Sequence, residues 1–160
     1  MARLREFSED EVLDAAIGIF SQRGFEATSM QDIVAATGLT VGSIYKAFGD
    51  KKGLFHIALT RYMDQTYRQY HLILTTPESP RQGLLDWLQN SFKPDSGSTD
   101  IVGCFAVNSI VEMGPFDSEA RTILSNHQNR VLAMLIDQIQ DGQRRDELRC
   151  DLSANDIAAI

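Results

Sequence analysis

Side chains that can donate a hydrogen bond or carry a positive charge gather in one stretch of the chain, between residues 28 and 51. Hydroxyl and ammonium groups of this kind donate to phosphate oxygens, and such contacts fix the register of a protein on a nucleic acid. We expect Thr28, Tyr45, Lys46 and Lys51 to make these contacts. Taken singly, each has a plainer explanation, because an exposed tyrosine can simply pack through its ring and neighbouring lysines can form a solvated basic face.

Two short helices joined by a tight turn are predicted to hold these side chains. Ser29, followed three residues later by Asp32, has a capping-box-like pattern that begins a helix. Gly38 is the residue type best able to end that helix, since it takes the left-handed conformation without strain. Thr40 is the expected cap of the second helix. Each helix has one apolar face, formed by Met30, Ile33 and Val34 in the first and by Ile44 and Phe48 in the second.

Two such helices around a glycine-containing turn are typical of the helix-turn-helix motif. In that motif the second helix lies in the major groove of DNA with its N-terminal residues near base edges. Gly42 permits close approach, and Val41 offers an apolar contact to a thymine methyl group. The predicted DNA-binding residues, in addition to the four phosphate donors, are Ser29, Thr40, Val41, Gly42 and Ser43.

The distribution of charge permits such a surface, although the chain as a whole is acidic. Its 160 residues sum to a formal charge of -7, which on its face argues against a phosphate-bearing partner. Residues 1–61 carry seven basic and eight acidic side chains, whereas residues 62–160 carry eight basic and fourteen acidic ones. The acidic excess is therefore mostly C-terminal, and a small basic DNA-binding face near the N-terminus is compatible with it.

Other classes of protein receive little support from the sequence. No apolar run approaches the roughly 18 residues that span a bilayer, and the first residues lack the apolar segment of a secretory signal, so we expect a cytoplasmic protein with no membrane partner. Cys104 and Cys150 lie far apart and outside metal-ligand spacings, which predicts reduced thiols and no metal site. An enzyme or a purely protein-binding bundle is the remaining alternative. Against an enzyme stands the lack of a Ser/His/Asp arrangement or phosphate loop, so we expect no catalysis and no cofactor.

Helical periodicity and helix breakers predict an all-α chain. The segment 101–113 is apolar on nearly every side, which is typical of a helix at the centre of a bundle. Residues 93–99 have the composition of a loop. The predicted helices begin at or just after Ser8, Ser29, Thr40, Asp50, Pro80, Ile101, Asp117 and Ser153.

The run GFEATSMQDIVAATGLTVGSIYKAFGDKKGLF, from Gly24 to Phe55, closely resembles the N-terminal DNA-binding domain of the TetR family of bacterial transcriptional regulators. Residue types and spacing agree through both helices, the turn between them and the lysine that follows. The run departs from the family pattern at Ala47, where many members have histidine. The segment GCFAVNSIVEMG, residues 103–114, is similar to one found in a branch of the family that includes regulators of reductases and of stress responses.

This resemblance implies a three-helix helix-turn-helix DNA-binding domain at residues 1–50, followed by a helical-bundle ligand-binding and dimerisation domain at residues 51–160. It further implies a homodimer, double-stranded operator DNA as its partner, and a small-molecule inducer that releases a repressor from that operator. Members of the family usually finish with two long helices, and we therefore expect the protein to continue beyond Ile160.

Candidate ligand contacts lie in the second predicted domain. Asn108 and Glu112 stand four apart on an otherwise apolar helix, and polar groups in a core need partners. Cys104 leaves an alternative open, a repressor switched by oxidation or alkylation of its thiol, although a small buried side chain is the plainer explanation. The full candidate set, whose aromatic and Met members also suit an ordinary core, is Trp87, Cys104, Phe105, Asn108, Glu112, His127 and Met134.

Overall fold

The computed structural model describes residues 8–91 and 104–158, and these residues form eight α-helices and no strand. The helices are α1 (Glu9–Arg23), α2 (Met30–Thr37), α3 (Val41–Phe48), α4 (Lys51–Thr75), α5 (Pro80–Ser91), α6 (Phe105–Glu112), α7 (Ser118–Arg144) and α8 (Ala154–Ala158). The all-α class is therefore confirmed. The predicted loop at 93–99 and the predicted helix start at Ile101 lie outside the described residues. Within the described ranges, no helix is both long and apolar enough to cross a membrane.

Helices begin where the capping residues predict them. Ser29 Oγ accepts from the Asp32 N–H at 3.1 Å, and Asp32 Oδ2 accepts from the Ser29 N–H at 2.9 Å, so the capping box of α2 is complete. Gly38 ends α2 in the left-handed conformation, with φ of 71°. The same cap contact to the third backbone N–H of a helix is made by Ser8, Thr40 and Ser153. Each such cap stabilises its helix by about 1 kcal/mol.

Packing divides the chain into two compact units. The first contains the described residues 8–63 and 104–124, and the second contains 64–91 and 125–158. In the first unit α1 packs against both α2 and α6, and α2 packs against α3. This grouping differs from a division at residue 50, because the first turns of α4 and all of α6 lie with α1 to α3. The predicted boundary between a DNA-binding and a ligand-binding domain stays a prediction.

Aromatic rings from three helices form the centre of the first unit. Phe20 of α1 meets Phe55 of α4 edge to face at 5.2 Å and stacks on Phe105 of α6 at 5.9 Å between ring centres. All three side chains are essentially buried, and each contributes roughly 1.5 to 3 kcal/mol to folding. Phe105, predicted to line a ligand pocket, is instead a core residue that fastens α6 to α1 and α4.

Helix α6 is not enclosed on all sides, contrary to the sequence prediction. Phe105 and Ser109 point into the first unit and are buried. Val107, Ile110 and Val111 lie on the opposite side of the helix and are more than half exposed. Apolar composition alone did not distinguish a central helix from one that packs through a single face.

The second unit is held by contacts between α4, α5 and α7 and the segment after α7. Arg130 of α7 pairs with Asp64 of α4 at 2.7 Å, and its guanidinium lies 4.0 Å from the ring centre of Tyr67. The Glu147 carboxylate accepts from the Ser79 hydroxyl at 2.5 Å and from the N–H of Arg81, and thereby fixes the start of α5. Pro80 occupies the first position of α5, as predicted.

Candidate nucleic-acid interface

Helix α3 has one buried face and one exposed face. Ile44 is fully buried and Phe48 nearly so, and both belong to the core of the first unit. Val41 lies at the edge of this buried face and Tyr45 lies further round the helix, and they are 42% and 50% exposed. The apolar contacts that seat α3 in the fold therefore leave a second apolar and aromatic surface in solvent, formed by side chains of the predicted DNA-binding set.

The N-terminus of α3 is fixed by its own side chains and is open to close approach. Thr40 Oγ1 accepts from the Ser43 N–H at 3.2 Å and lies 2.9 Å from the Ser43 hydroxyl. Gly42 is exposed, and a Cβ added there would meet only Thr40 Oγ1, at 4.0 Å. Nothing in this part of the fold thus requires glycine at residue 42, and its bare backbone is free to face a ligand.

Lys46 and Tyr45 are exposed hydrogen-bond donors in the second half of α3. Lys46 is exposed in the last turn of α3. A positive charge at this end of a helix also stabilises the helix. With Thr40, Val41, Gly42 and Ser43, these two residues form what we call the α3 surface. The structure places all six predicted residues of the α3 surface on one short helix and its cap.

Thr28 and Ser29 were predicted from their residue types to contact DNA, but they are not part of the α3 surface. Thr28 is fully buried, and its hydroxyl donates to the Gly24 carbonyl at 2.6 Å, so it has no exposed donor for a phosphate. Ser29 is exposed, but its hydroxyl is engaged with the Asp32 carboxylate at 2.6 Å. Both residues shape the turn into α2, a role that single-residue donor chemistry does not reveal.

Lys51 is also occupied within the chain. Its ammonium donates at 2.9 Å to the carbonyl oxygens of Phe25 and Thr28, and it lies 4.2 Å from the ring centre of Phe25. Two of its three protons are used in these bonds. The predicted phosphate contact by Lys51 is therefore corrected to a structural one, which joins the first turn of α4 to the turn between α1 and α2.

A buried carboxylate on the other side of α4 organises the adjacent charges. Asp117 Oδ1 accepts from the Ala120 N–H at 2.8 Å and lies 3.0 Å from His56 Nε2, while Oδ2 pairs with Lys52 at 2.6 Å. Burial alone would raise the pKa of Asp117, but the Ala120 N–H, Lys52 and His56 together lower it to about 2. Lys52 is thus part of an ion pair and not an isolated basic side chain.

The predicted ligand contacts Asn108 and Glu112 have partners within the first unit. Asn108 Nδ2 donates to the Ser21 carbonyl at 3.0 Å. Glu112 Oε2 accepts from the Phe25 N–H at 2.7 Å and from the Glu26 N–H at 3.3 Å. These polar groups pair with main-chain groups of α1 and the turn after it, and a ligand contact by either residue stays a prediction.

The other pocket candidates are distributed between the two units. Cys104 is exposed at the N-terminal end of α6, with its sulfur 3.8 Å from the Tyr62 hydroxyl. Trp87, His127 and Met134 belong to the second unit, where Met134 is buried. The ligand site assembled from these residues stays a prediction.

Sequence reasoning missed the turn formed by residues 24–28 as a point where distant side chains meet the main chain. Both Lys51 and Glu112 bind it, one through carbonyl oxygens and the other through N–H groups. Glu112 was a clue to this contact, because a carboxylate at the end of an apolar helix needs a partner. That partner, Phe25, lies 87 residues away in sequence. Helical periodicity relates residues three or four apart and says nothing about such distant pairs.

Comparison with known proteins identifies the family. A profile of the family described as bacterial regulatory proteins, tetR family, matches residues 12–58. The HTH-type transcriptional repressor ComR of Escherichia coli K12 is 33% identical over 142 residues, covering 86% of this chain and 68% of that protein. The uncharacterized HTH-type transcriptional regulator YezE of Bacillus subtilis is 28% identical over 156 residues, covering 98% and 78%. The chain belongs to the TetR family.

A solved relative has the same fold. The TetR family transcriptional regulator CifR, as a cysteine mutant complexed with a 26-base-pair operator DNA, matches with a TM-score of 0.82 and 27% identity, covering 98% of this chain and 82% of that one. The family, the all-α fold and the class of function predicted from sequence are thereby confirmed. The chain is a DNA-binding helix-turn-helix transcriptional regulator, and ligand-responsive repression is the mode of action typical of its family.

Proposed function

We propose that this regulator is a repressor that binds operator DNA as a homodimer, with the α3 surface of each subunit in the major groove. The observation that carries this proposal is the division of α3 into a buried face and an exposed one. Val41 and Tyr45 leave apolar and aromatic area in solvent beside the buried residues of α3, and Gly42 and Lys46 are exposed on the side opposite Ile44. Such area at the start of a helix-turn-helix recognition helix suits contact with base edges and with the thymine methyl group.

The contacts on the α3 surface divide into readers and anchors. Thr40, Val41, Gly42 and Ser43 lie at the N-terminal end of α3, where a recognition helix meets base edges. Tyr45 and Lys46 follow one turn later and donate to phosphate oxygens. Few of the readers can form a bidentate pair with one base, so the shape of the DNA and the spacing of the two half-sites contribute to specificity.

A small molecule is proposed to release the repressor from its operator. The second unit offers one observation in favour of a ligand site there. Trp87 Nε1 is buried and has no hydrogen-bond acceptor within the described residues, although the ring meets Tyr70 edge to face at 5.8 Å. Buried N–H groups are nearly always paired, so an acceptor atom of an inducer would satisfy this one.

The curated relatives are described as transcriptional repressors, and the alternative of a switch through Cys104 is not favoured. Action on operator DNA implies that the protein works in the cytoplasm. No catalytic role is proposed, because the family is one of regulators.

A mobility-shift assay with DNA from upstream of the protein's own gene tests the proposal. We expect one retarded complex of constant mobility that survives excess scrambled duplex of the same length and base composition. Equal competition by the scrambled duplex at physiological salt would show that binding is only electrostatic, and the proposed operator recognition would then be wrong.

A further inference from the structure

The carboxylate of Glu112 occupies a concavity formed by consecutive backbone N–H groups. Its Oε2 accepts from Phe25 at 2.7 Å and from Glu26 at 3.3 Å. Successive N–H groups that converge in this way form a binding site for an anion. The anion here is supplied by the chain itself, from the last residue of α6 to the turn that follows α1.

Gly24 makes this contact possible for two separate reasons. Its φ of 77° lies in the region that favours glycine. A Cβ at residue 24 would also lie 2.0 Å from Glu112 Oε1, far inside the contact distance of the two atoms. The carboxylate therefore rests directly on the bare backbone of Gly24, and the turn and the end of α6 fit each other closely.

Local helix electrostatics do not explain a carboxylate at this place. Glu112 ends α6, and the turn it binds follows the end of α1. The C-terminus of a helix disfavours negative charge. The two backbone donors offset that cost only while α6 and the turn remain in contact, so the benefit of this side chain depends on the position of α6.

The turn that Glu112 binds leads directly into the helix-turn-helix. Lys51 donates to the Phe25 carbonyl, so the peptide groups on either side of Phe25 are held by opposite charges from two different helices. The Thr28 hydroxyl closes the turn on Gly24. The next residue, Ser29, caps α2, and a shift of the turn would therefore reach α2 and then α3.

We propose that Glu112 is a positioning residue for operator binding: it holds the turn at residues 24–28 in the geometry that presents α3 to DNA. Asn108 assists by fixing α6 to the Ser21 carbonyl of α1. A displacement of α6 would break the Glu112 contact and release the turn. This inference rests on the proposed binding of DNA by the α3 surface.

The sign of the effect on DNA affinity separates this role from simple charge. Removing a carboxylate from a DNA-binding protein should strengthen its binding to every duplex, because repulsion of phosphate is reduced. Loss of a positioning contact should instead weaken binding to the operator alone. The test measures binding of the intact protein by fluorescence anisotropy. One duplex contains the operator found by the mobility-shift assay, and the other is a scrambled duplex of equal length. The thermal unfolding midpoint of each variant is measured alongside.

We expect Glu112→Ala to lower operator affinity about tenfold, equivalent to about 1.4 kcal/mol, with little change on the scrambled duplex. Glu112→Gln keeps one oxygen that can accept from Phe25 and should lie between Ala and the wild type. Glu26→Gln is the matched control, since it removes a charge from the same turn but keeps both N–H groups; it should bind as tightly as the wild type or more tightly.

Operator binding by Glu112→Ala that equals or exceeds that of the wild type overturns the inference, as does an equal loss on both duplexes. If Glu112→Ala does not fold, the ratio of the two affinities measured for Glu112→Gln decides by the same criterion. If the wild type binds both duplexes equally, the proposed function is contradicted. That result can be told apart from failure of the inference on Glu112, in which the wild type still prefers the operator.

Discussion

The ammonium group of Lys51 lies 2.9 Å from the carbonyl oxygens of both Phe25 and Thr28, and it stabilises the turn into α2 from within the protein. Lys46, by contrast, extends into solvent from α3. The two lysines have the same charge and lie five residues apart, yet their surroundings in the structure differ. One holds the DNA-binding part together, and the other is available to a phosphate.

Alanine substitutions should separate these two roles. Lys46→Ala should weaken binding to all duplexes about equally and lower the slope of log affinity against log salt by roughly 1 per subunit, because one phosphate contact is lost. Lys51→Ala should leave that slope nearly unchanged but destabilise the protein by about 2 kcal/mol, because two charged hydrogen bonds are lost. Titrations at several salt concentrations and urea unfolding measure both quantities, and an unchanged slope for Lys46→Ala would remove Lys46 from the interface.

Gly42→Ala should improve stability and impair binding at the same time. The substitution meets no neighbour closer than 4.0 Å, and alanine within a helix is favoured over glycine by roughly 0.5 to 1 kcal/mol. A methyl group there would nevertheless stand between α3 and the base edges. Gly18→Ala in α1 is the matched control, since a Cβ there has nothing within 4 Å.

Urea unfolding and anisotropy on the operator duplex measure the two effects of Gly42→Ala. Both variants should unfold at higher urea than the wild type, but only Gly42→Ala should lose affinity. Wild-type affinity in a stabilised Gly42→Ala protein would show that DNA does not approach the start of α3 closely.

Local signals predicted the helices well because they act over short distances. Ser29 and Asp32 are three residues apart, and their capping box formed as predicted. Pro80 and Gly38 likewise set helix ends through their own backbone preferences. The buried stripe of α3 followed from the spacing of Ile44 and Phe48.

Residue roles that depend on distant partners could not be predicted in the same way. Thr28 and Lys51 have donor groups suited to phosphate, but the turn of residues 24–28 uses both. Asn108 and Glu112 indicated a ligand only because their partners in and after α1, 87 residues away, could not be deduced from spacing. The six residues of the α3 surface lie together on α3 and its cap because their positions follow from local spacing, and their contact with DNA stays a prediction.

Asp117 should make stability depend on pH in the acid range. Its pKa falls from 3.8 to about 2 in the folded state, so the stabilisation, up to about 2 kcal/mol, is present above about pH 4 and is lost as the pH falls towards 2. Asp117→Asn should therefore be less stable near neutral pH and should show a flatter decline across that window. Urea unfolding at stepped pH measures this.

Asp137→Asn, on an exposed part of α7, is the matched control for Asp117→Asn and should reproduce the wild-type profile. Parallel profiles for the wild type and Asp117→Asn between pH 4 and 2 would show that the contacts with Lys52 and the Ala120 N–H do not stabilise the folded protein.

Trp87 should report directly on the inducer. It is the single tryptophan of the chain, and its buried N–H has no acceptor among the described residues. A compound that releases the operator by binding near Trp87 should change the intensity or wavelength of its emission in a saturable way. A panel of small molecules screened for both emission and operator release measures this.

Trp87→Phe should keep operator affinity and respond less to the same compounds, because the N–H donor is lost. A compound that releases the operator from the wild type with no change in emission, and equally from Trp87→Phe, would place the inducer site elsewhere.

Footprinting of the upstream DNA tests most directly whether two copies of α3 read an operator. A homodimer with one recognition helix per subunit should protect a pseudo-palindromic site whose half-site centres lie about 34 to 36 Å, or a multiple of that distance, apart. Hydroxyl-radical footprinting combined with a measurement of the mass of the complex gives both the spacing and the stoichiometry. Protection of a single isolated half-site by a monomer, or protection with no preferred site, would contradict the account.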